Sequence, residues 1–103
     1  MSTIRKEGDK VFINPGQDVV TPVIKDFQRE LQEIVAEKPA ELIIDLEGVG
    51  LVDSTGLGLF VAAYNSLKQH QGTITIINAK GNVLDVLLMT HLNRIFNIVT
   101  DEE

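Results

Sequence analysis

The segment Leu42-Ile43-Ile44-Asp45-Leu46 constrains the fold most. It is apolar without alternation, rich in branched side chains, and shorter than the ~10 residues a buried helix needs. A strand of that kind has at least one crowded face, as in a parallel sheet lying under helices. The next residues, Glu47-Gly48-Val49-Gly50-Leu51-Val52-Asp53, form a loop with two glycines. The period then changes. Ser54 stands where a helix cap is expected, and Leu57, Phe60, Val61, Tyr64 and Leu67 recur at helical spacing over roughly residues 55–70, with Gly72 ending the helix.

The rest of the chain repeats this alternation. Residues 2–7 form a polar strand candidate, and Lys10–Asn14 a short strand broken by Asn14-Pro15-Gly16. A helix follows, with Thr21 as its cap, Pro22 in its first turn, and Ile24, Phe27, Leu31, Ile34 and Val35 along one face. Lys38-Pro39 ends it. Thr73–Ile77 reads as a strand, Gly81–Leu92 as a third helix and Ile95–Val99 as a last strand. The order β-β-α-β-α-β-α-β predicts one α/β domain over residues 1–103. Its sheet should be mainly parallel, four- to five-stranded, with right-handed crossover helices, and residues 101–103 form an acidic tail.

Composition narrows the chemistry. Nine Lys+Arg against fifteen Asp+Glu give a net charge of −6, which repels phosphate backbones and anionic lipids, so nucleic acid is not an expected partner. There is no cysteine, which removes disulfides, zinc-thiolate sites and cysteine nucleophiles together. The first ten residues hold no apolar core of a signal peptide, and no apolar stretch approaches the ~20 residues of a membrane span. A cytoplasmic protein without direct membrane insertion is expected.

Sites for an enzyme do not assemble. Asp45 ends a strand as a receiver-domain aspartate does, but the acid pair that would share Mg²⁺ with it is missing. Asp45, Glu47 and Asp53 read as loop acids rather than metal ligands. Gly48-Val49-Gly50 lacks the third glycine of a dinucleotide loop, and Val52 stands where a nucleophile elbow needs glycine. His70 falls near a helix end and His91 in the segment Thr90–Phe96, both read as structural. No cofactor, no metal and no catalytic group is expected.

Ser54 remains. Read locally, it is a helix cap and nothing more. A phosphate on its oxygen would sit at the positive end of the helix dipole and add about −1.5 to −2 charges, tolerated by the fold yet disruptive to any docking surface. Gly56 and Gly58 weigh toward a second role. Each costs ~1 kcal/mol of helix propensity relative to Ala, so close packing or a partner's approach has to favour them.

The run Val52-Asp53-Ser54-Thr55-Gly56-Leu57-Gly58, preceded by Ile43-Ile44-Asp45-Leu46, resembles the signature of STAS domains of the bacterial anti-sigma factor antagonist type. Thr90-His91-Leu92-Asn93-Arg94-Ile95-Phe96 is similar to the family's late segment, and the likeness covers nearly the whole chain. The resemblance implies an adaptor without catalysis, a substrate of kinase and phosphatase. Ser54 matches the phosphorylated serine, with Thr55 as the lesser candidate; Asp53 and Gly56 match the residues shaping its loop. The implied partners are a GHKL-type anti-sigma factor serine kinase, bound by the unphosphorylated form, and a PP2C-type phosphatase. A monomer or weak homodimer is expected. One departure stands out: Gly16-Gln17-Asp18-Val19 replaces the usual Gly-Glu-x-Asp, at a loop that faces the partner in family members. Gln17, Asp18, Leu57, Gly58 and Leu59 are therefore candidate partner-binding residues, and one or two of Leu57, Leu59 and Phe60 should form an exposed apolar patch. The same resemblance admits a stressosome-type scaffold, or a constitutive docking subunit of a lipid-transport ABC complex in which Ser54 is only a cap.

Overall fold

A computed structural model describes residues 2–99; the acidic tail at 101–103 lies outside them. The strands are β1 (Thr3–Glu7), β2 (Lys10–Asn14), β3 (Glu41–Asp45), β4 (Thr73–Ile77) and β5 (Asn97–Ile98). The helices are α1 (Ile24–Ala36), α2 (Ser54–Lys68) and α3 (Gly81–Met89). The sheet order is β1-β2-β3-β4-β5, with β1 antiparallel to β2 and every later pairing parallel.

That order has a consequence for the layers. Each crossover moves one strand further in the same direction. Right-handed connections then place all three helices on one face of the sheet. Burial agrees. Val11, Ile13, Leu42, Ile44, Ile74 and Ile76, in register across the sheet, share one core cluster with Phe27, Leu31, Phe60, Leu67, Val83 and Leu87. Residues of the opposite parity face away. Arg5 lies 4.2 Å over the Phe12 ring, and Glu41 accepts from the Thr75 hydroxyl, so that face is covered by the strands' own side chains. With no reversal of strand order, the sheet has no switch-point crevice of the kind that holds nucleotides in doubly wound folds.

The helices are joined by rings. Phe60, fully buried, meets Phe27 of α1 edge-on at 6.1 Å and Phe96 at 6.5 Å; Tyr64 meets Phe96 at 6.0 Å. Each such burial contributes about 1.5–3 kcal/mol. This aromatic chain ties α1, α2 and the segment after α3 into one core.

Four sequence expectations are corrected at element ends, the first being the last strand, which runs Asn97–Ile98 rather than Ile95–Val99 because Ile95 closes the 3₁₀ turn before it. Thr21 does not cap α1: residues Thr21–Val23 form a 3₁₀ turn whose cap position is Val20, and the Thr21 side chain is used elsewhere. α3 ends at Met89 rather than Leu92, because His91 takes a left-handed conformation (φ 63°) and Leu92–Arg94 form a separate 3₁₀ turn. α2 ends at Lys68, and Gln71, not Gly72, supplies the left-handed residue (φ 66°). Gly72 is required for another reason: a Cβ there would lie 2.9 Å from the Pro39 carbonyl oxygen.

Candidate functional site

The start of α2 is where the loops converge. Val49 and Val52 are buried and plug the β3–α2 loop into the core. Val19 of the β2–α1 loop is also buried and forms a parallel bridge with Val52. Its N–H donates to the Leu51 carbonyl at 2.9 Å, and its carbonyl accepts from Asp53 N–H at 3.1 Å. The Asp18 carboxylate adds a tie by accepting from Gly50 N–H at 2.8 Å. The displaced acid of the sequence pattern is thus a clasp between the two loops. Gln17 beside it is exposed.

Gly56 explains itself in this arrangement. A Cβ on it would lie 2.5 Å from the Val19 carbonyl oxygen and 2.9 Å from the Val19 and Val52 Cγ1 atoms. Only glycine lets the β2–α1 loop lie against the first turn of α2. Gly58 is different. It is exposed, and a Cβ on it would meet nothing within 4 Å.

The cap of α2 is Asp53, not Ser54. Asp53 has extended backbone angles (φ −89°, ψ −177°), and its Oδ1 accepts from Gly56 N–H at 2.9 Å. A carboxylate takes the position because its charged acceptor makes a stronger bond to the helix N–H groups than a hydroxyl does. Ser54 becomes the first helical residue. Asp53 Oδ2 accepts from both the N–H and the hydroxyl of Thr21, each at 2.9 Å. The Gly56 N–H first, then Thr21, hold the Asp53 carboxyl below the ordinary aspartate range, against a smaller desolvation effect.

Thr21 also reaches Thr55, with 3.1 Å between the two hydroxyl oxygens. The Ser54 hydroxyl is exposed and makes no hydrogen bond among the described residues. The structure therefore brings Asp53, Ser54, Thr55, Gly56 and Asp18 to one place and adds Thr21 to them. Its place before Pro22 makes Thr21 look like the cap of its own helix. Its distance from Asp53 along the chain, 32 residues, left no local signal of the role it has.

The apolar patch is placed differently from expectation. Leu57 and Leu59 are half-buried against the core, and Phe60 is fully buried. The exposed apolar side chain of the site is Leu51, 49% accessible. Beyond Ser54 the outward face of α2 carries Gly58, Ala62, Asn65 and Ser66, and no charged residue occurs in this helix before Lys68.

The remaining acids of the sheet's carboxyl edge are structural. Asp45 Oδ1 accepts from Glu47 N–H at 3.0 Å and Asn78 Nδ2 at 2.8 Å, while Asn14 Nδ2 donates to the Glu47 carbonyl at 3.2 Å. Among the described residues, no three His, Asp or Glu side chains are grouped to hold a metal ion. No helix there is long and apolar enough to cross a membrane.

Comparison with known proteins fits this geometry. The chain matches the STAS domain family over residues 2–103. It is 33% identical over 75 residues to the anti-sigma-B factor antagonist of Bacillus subtilis, covering 73% of this chain and 69% of that one. It is 39% identical over 57 residues to the anti-sigma-B factor antagonist of Listeria monocytogenes, covering 55% of this chain and half of that one. Among solved structures, an anti-sigma factor antagonist from Mycobacterium paratuberculosis superposes with a TM-score of 0.84 at 19% identity, over 95% of this chain and 83% of that one. The antagonist SpoIIAA in its unphosphorylated form superposes with a TM-score of 0.81 at 16% identity, over 98% and 90%. At those identities the structural likeness speaks for the fold alone; with the family match running from residue 2 to residue 103, the chain belongs to the STAS domain family.

Proposed function

We propose that this chain is an anti-sigma factor antagonist, a non-catalytic regulator switched by phosphorylation of Ser54. The observation that carries the reading is the free, exposed Ser54 hydroxyl at the head of a helix that bears no charge before Lys68. The relatives named as anti-sigma-B factor antagonists support it. The unphosphorylated protein docks a GHKL-type serine kinase, itself the anti-sigma factor, on Leu51, Ser54, Leu57, Gly58, Leu59 and the Gln17–Asp18 loop. The kinase transfers phosphate to Ser54 and lets go; a PP2C-type phosphatase restores the docking form. The protein works in the cytoplasm as a monomer or weak dimer.

Release follows from charge. The side chains tied around Ser54 are the carboxylates Asp53 and Asp18 and neutral hydroxyls. Lys80 reaches the β3–α2 loop at Glu47, 3.8 Å away and seven residues before Ser54; a phosphate on Ser54 would stand beside the Asp53 and Asp18 carboxylates at the head of the helix. Burying such a dianion under a partner costs about 4 kcal/mol, near a thousandfold in affinity.

Kinase capture by Ser54→Ala and Ser54→Asp variants tests this. Ser54→Ala should capture the kinase with ATP present as the wild type does without ATP, and Ser54→Asp should lose most of the capture. Equal capture by both variants, or no phosphate on Ser54 in the native cell under any condition, would overturn the switch and favour a constitutive docking role.

A further inference from the structure

Two hydroxyls stand side by side at the start of α2, and both are exposed. In phosphoryl transfer either oxygen would attack the γ-phosphorus of ATP. The bond from that phosphorus to the β–γ bridging oxygen breaks, ADP leaves with the electron pair, and the hydroxyl proton passes to a base on the kinase. Intrinsic reactivity does not choose between Ser54 and Thr55. The structure does, through Thr21.

The Thr21 hydroxyl oxygen lies 2.9 Å from Asp53 Oδ2 and 3.1 Å from the Thr55 hydroxyl oxygen. A hydroxyl has one proton to donate, and an ionised carboxylate only accepts. The Asp53 carboxyl is held in its ionised form by the N–H groups around it. Thr21 therefore gives its proton to Asp53, and the contact with Thr55 is made with the proton of Thr55. The result is a directed chain: Thr55 donates to Thr21, and Thr21 donates to the Asp53 carboxylate. The chain is anchored, because the Thr21 N–H also lands on Oδ2 at 2.9 Å. Ser54 stands outside it with its proton uncommitted among the described residues.

From this geometry we infer that Thr21 is a positioning residue: it ties down the Thr55 hydroxyl and so directs the kinase to Ser54. The inference rests on the reading of this loop as a phosphoacceptor. A kinase that takes Thr55 has to break the chain and turn the side chain away from Thr21. One that takes Ser54 does neither. The weight of one such hydrogen bond corresponds to about a fivefold preference.

The experiment maps phosphate sites by fragment mass spectrometry on the full chain expressed in its native cell. Thr21→Val removes the hydroxyl while keeping the shape and the backbone N–H bond to Asp53; Thr21→Ser keeps the hydroxyl. Wild type and Thr21→Ser should carry phosphate on Ser54. Thr21→Val should raise the ratio of Thr55 to Ser54 phosphate about fivefold. In a Ser54→Ala background, Thr55 should stay poorly modified until Thr21→Val is added. A wild-type ratio in Thr21→Val overturns the inference while leaving Ser54 as the switch. So does Ser54→Ala protein phosphorylated on Thr55 as fully as the wild type is on Ser54, a result that needs no change at Thr21. Wild-type protein with phosphate on neither residue overturns the phosphoacceptor reading itself.

Discussion

Helices α1 and α2 pack against each other over the same face of the sheet, and they are built to opposite rules. α1 buries a narrow stripe, Ile24, Phe27, Leu31 and Ile34, and turns Lys25, Asp26, Arg29 and Glu33 to solvent. It begins without a side-chain cap. α2 buries Gly56, Phe60, Ala63 and Leu67, turns small uncharged residues outward, and begins with a carboxylate cap braced by a threonine taken from the entry to α1. In a chain of net charge −6, a helix of roughly 22 Å with no charged residue before Lys68 is a departure that solvation does not require. Polar organisation is concentrated where α2 begins, and charge is kept off its surface as far as Lys68. The inward faces hold the fold; on the function proposed above, the outward faces differ because one of them is kept for a partner.

The sharpest way to break this comparison is to ask whether the inward faces are one core. Phe60→Ala should cost about 4 kcal/mol, since it removes a fully buried ring in contact with rings of two neighbouring segments. Hydrogen exchange should show α1 and α2 losing protection together. If α2 opens alone while α1 stays protected, the two helices are separate units and the contrast lies deeper than their surfaces. Next in size is Gly56→Ala. A methyl 2.5 Å from a backbone carbonyl forces the loop off the helix, at about 2–3 kcal/mol, or a thermal midpoint lower by ~10 °C or more. A midpoint within ~2 °C of wild type would mean that the loop rests on the helix without being clamped by it.

The inward half of this contrast is legible in the amino-acid order. The stripes in α1 and α2 are periodic, β3 is an unbroken apolar run, and element order with right-handed crossovers implies the sheet. The outward half is less so. Ser54 and Asp53 are adjacent, both good caps, and only the acceptor strength of the carboxylate in the folded geometry separates them. Leu57 and Leu59 look surplus to one stripe, yet Gln28, Leu31, Gln32 and Val35 of α1 form a shallow groove with Leu59, so its shelter depends on a neighbour the local sequence does not reveal. Thr21 is the extreme case, because its partners lie 32 and 34 residues away.

The brace itself has a pH signature. The folded pKa of Asp53 is lowered relative to the unfolded chain, so its contribution is present above about 3.9 and is lost as pH falls through the folded value. Asp53→Asn should melt below the wild type at pH 7, and the gap should close on acidification past pH ~4. A gap independent of pH would show that the cap works through shape rather than charge.

The smallest expected change in stability decides most about the outward faces. Gly58 is exposed, and a methyl on it meets nothing within 4 Å, so Gly58→Ala should stabilise the fold by somewhat under 1 kcal/mol through helix propensity alone. The matching change on the other helix is Arg29→Ala. It removes a solvent-exposed contact to Asp26 at 3.1 Å and should shift stability by no more than about 0.5 kcal/mol. The two variants part company in kinase capture. Arg29→Ala should leave it untouched, whereas Gly58→Ala places a methyl on the surface proposed for the partner and should weaken it several-fold. A glycine that lowers helix propensity, at a place where a Cβ would meet nothing within 4 Å, is best explained by a partner that needs the space. If Gly58→Ala stabilises the protein and captures the kinase undiminished, the partner does not sit on that face, and the contrast between the two helices is one of composition alone.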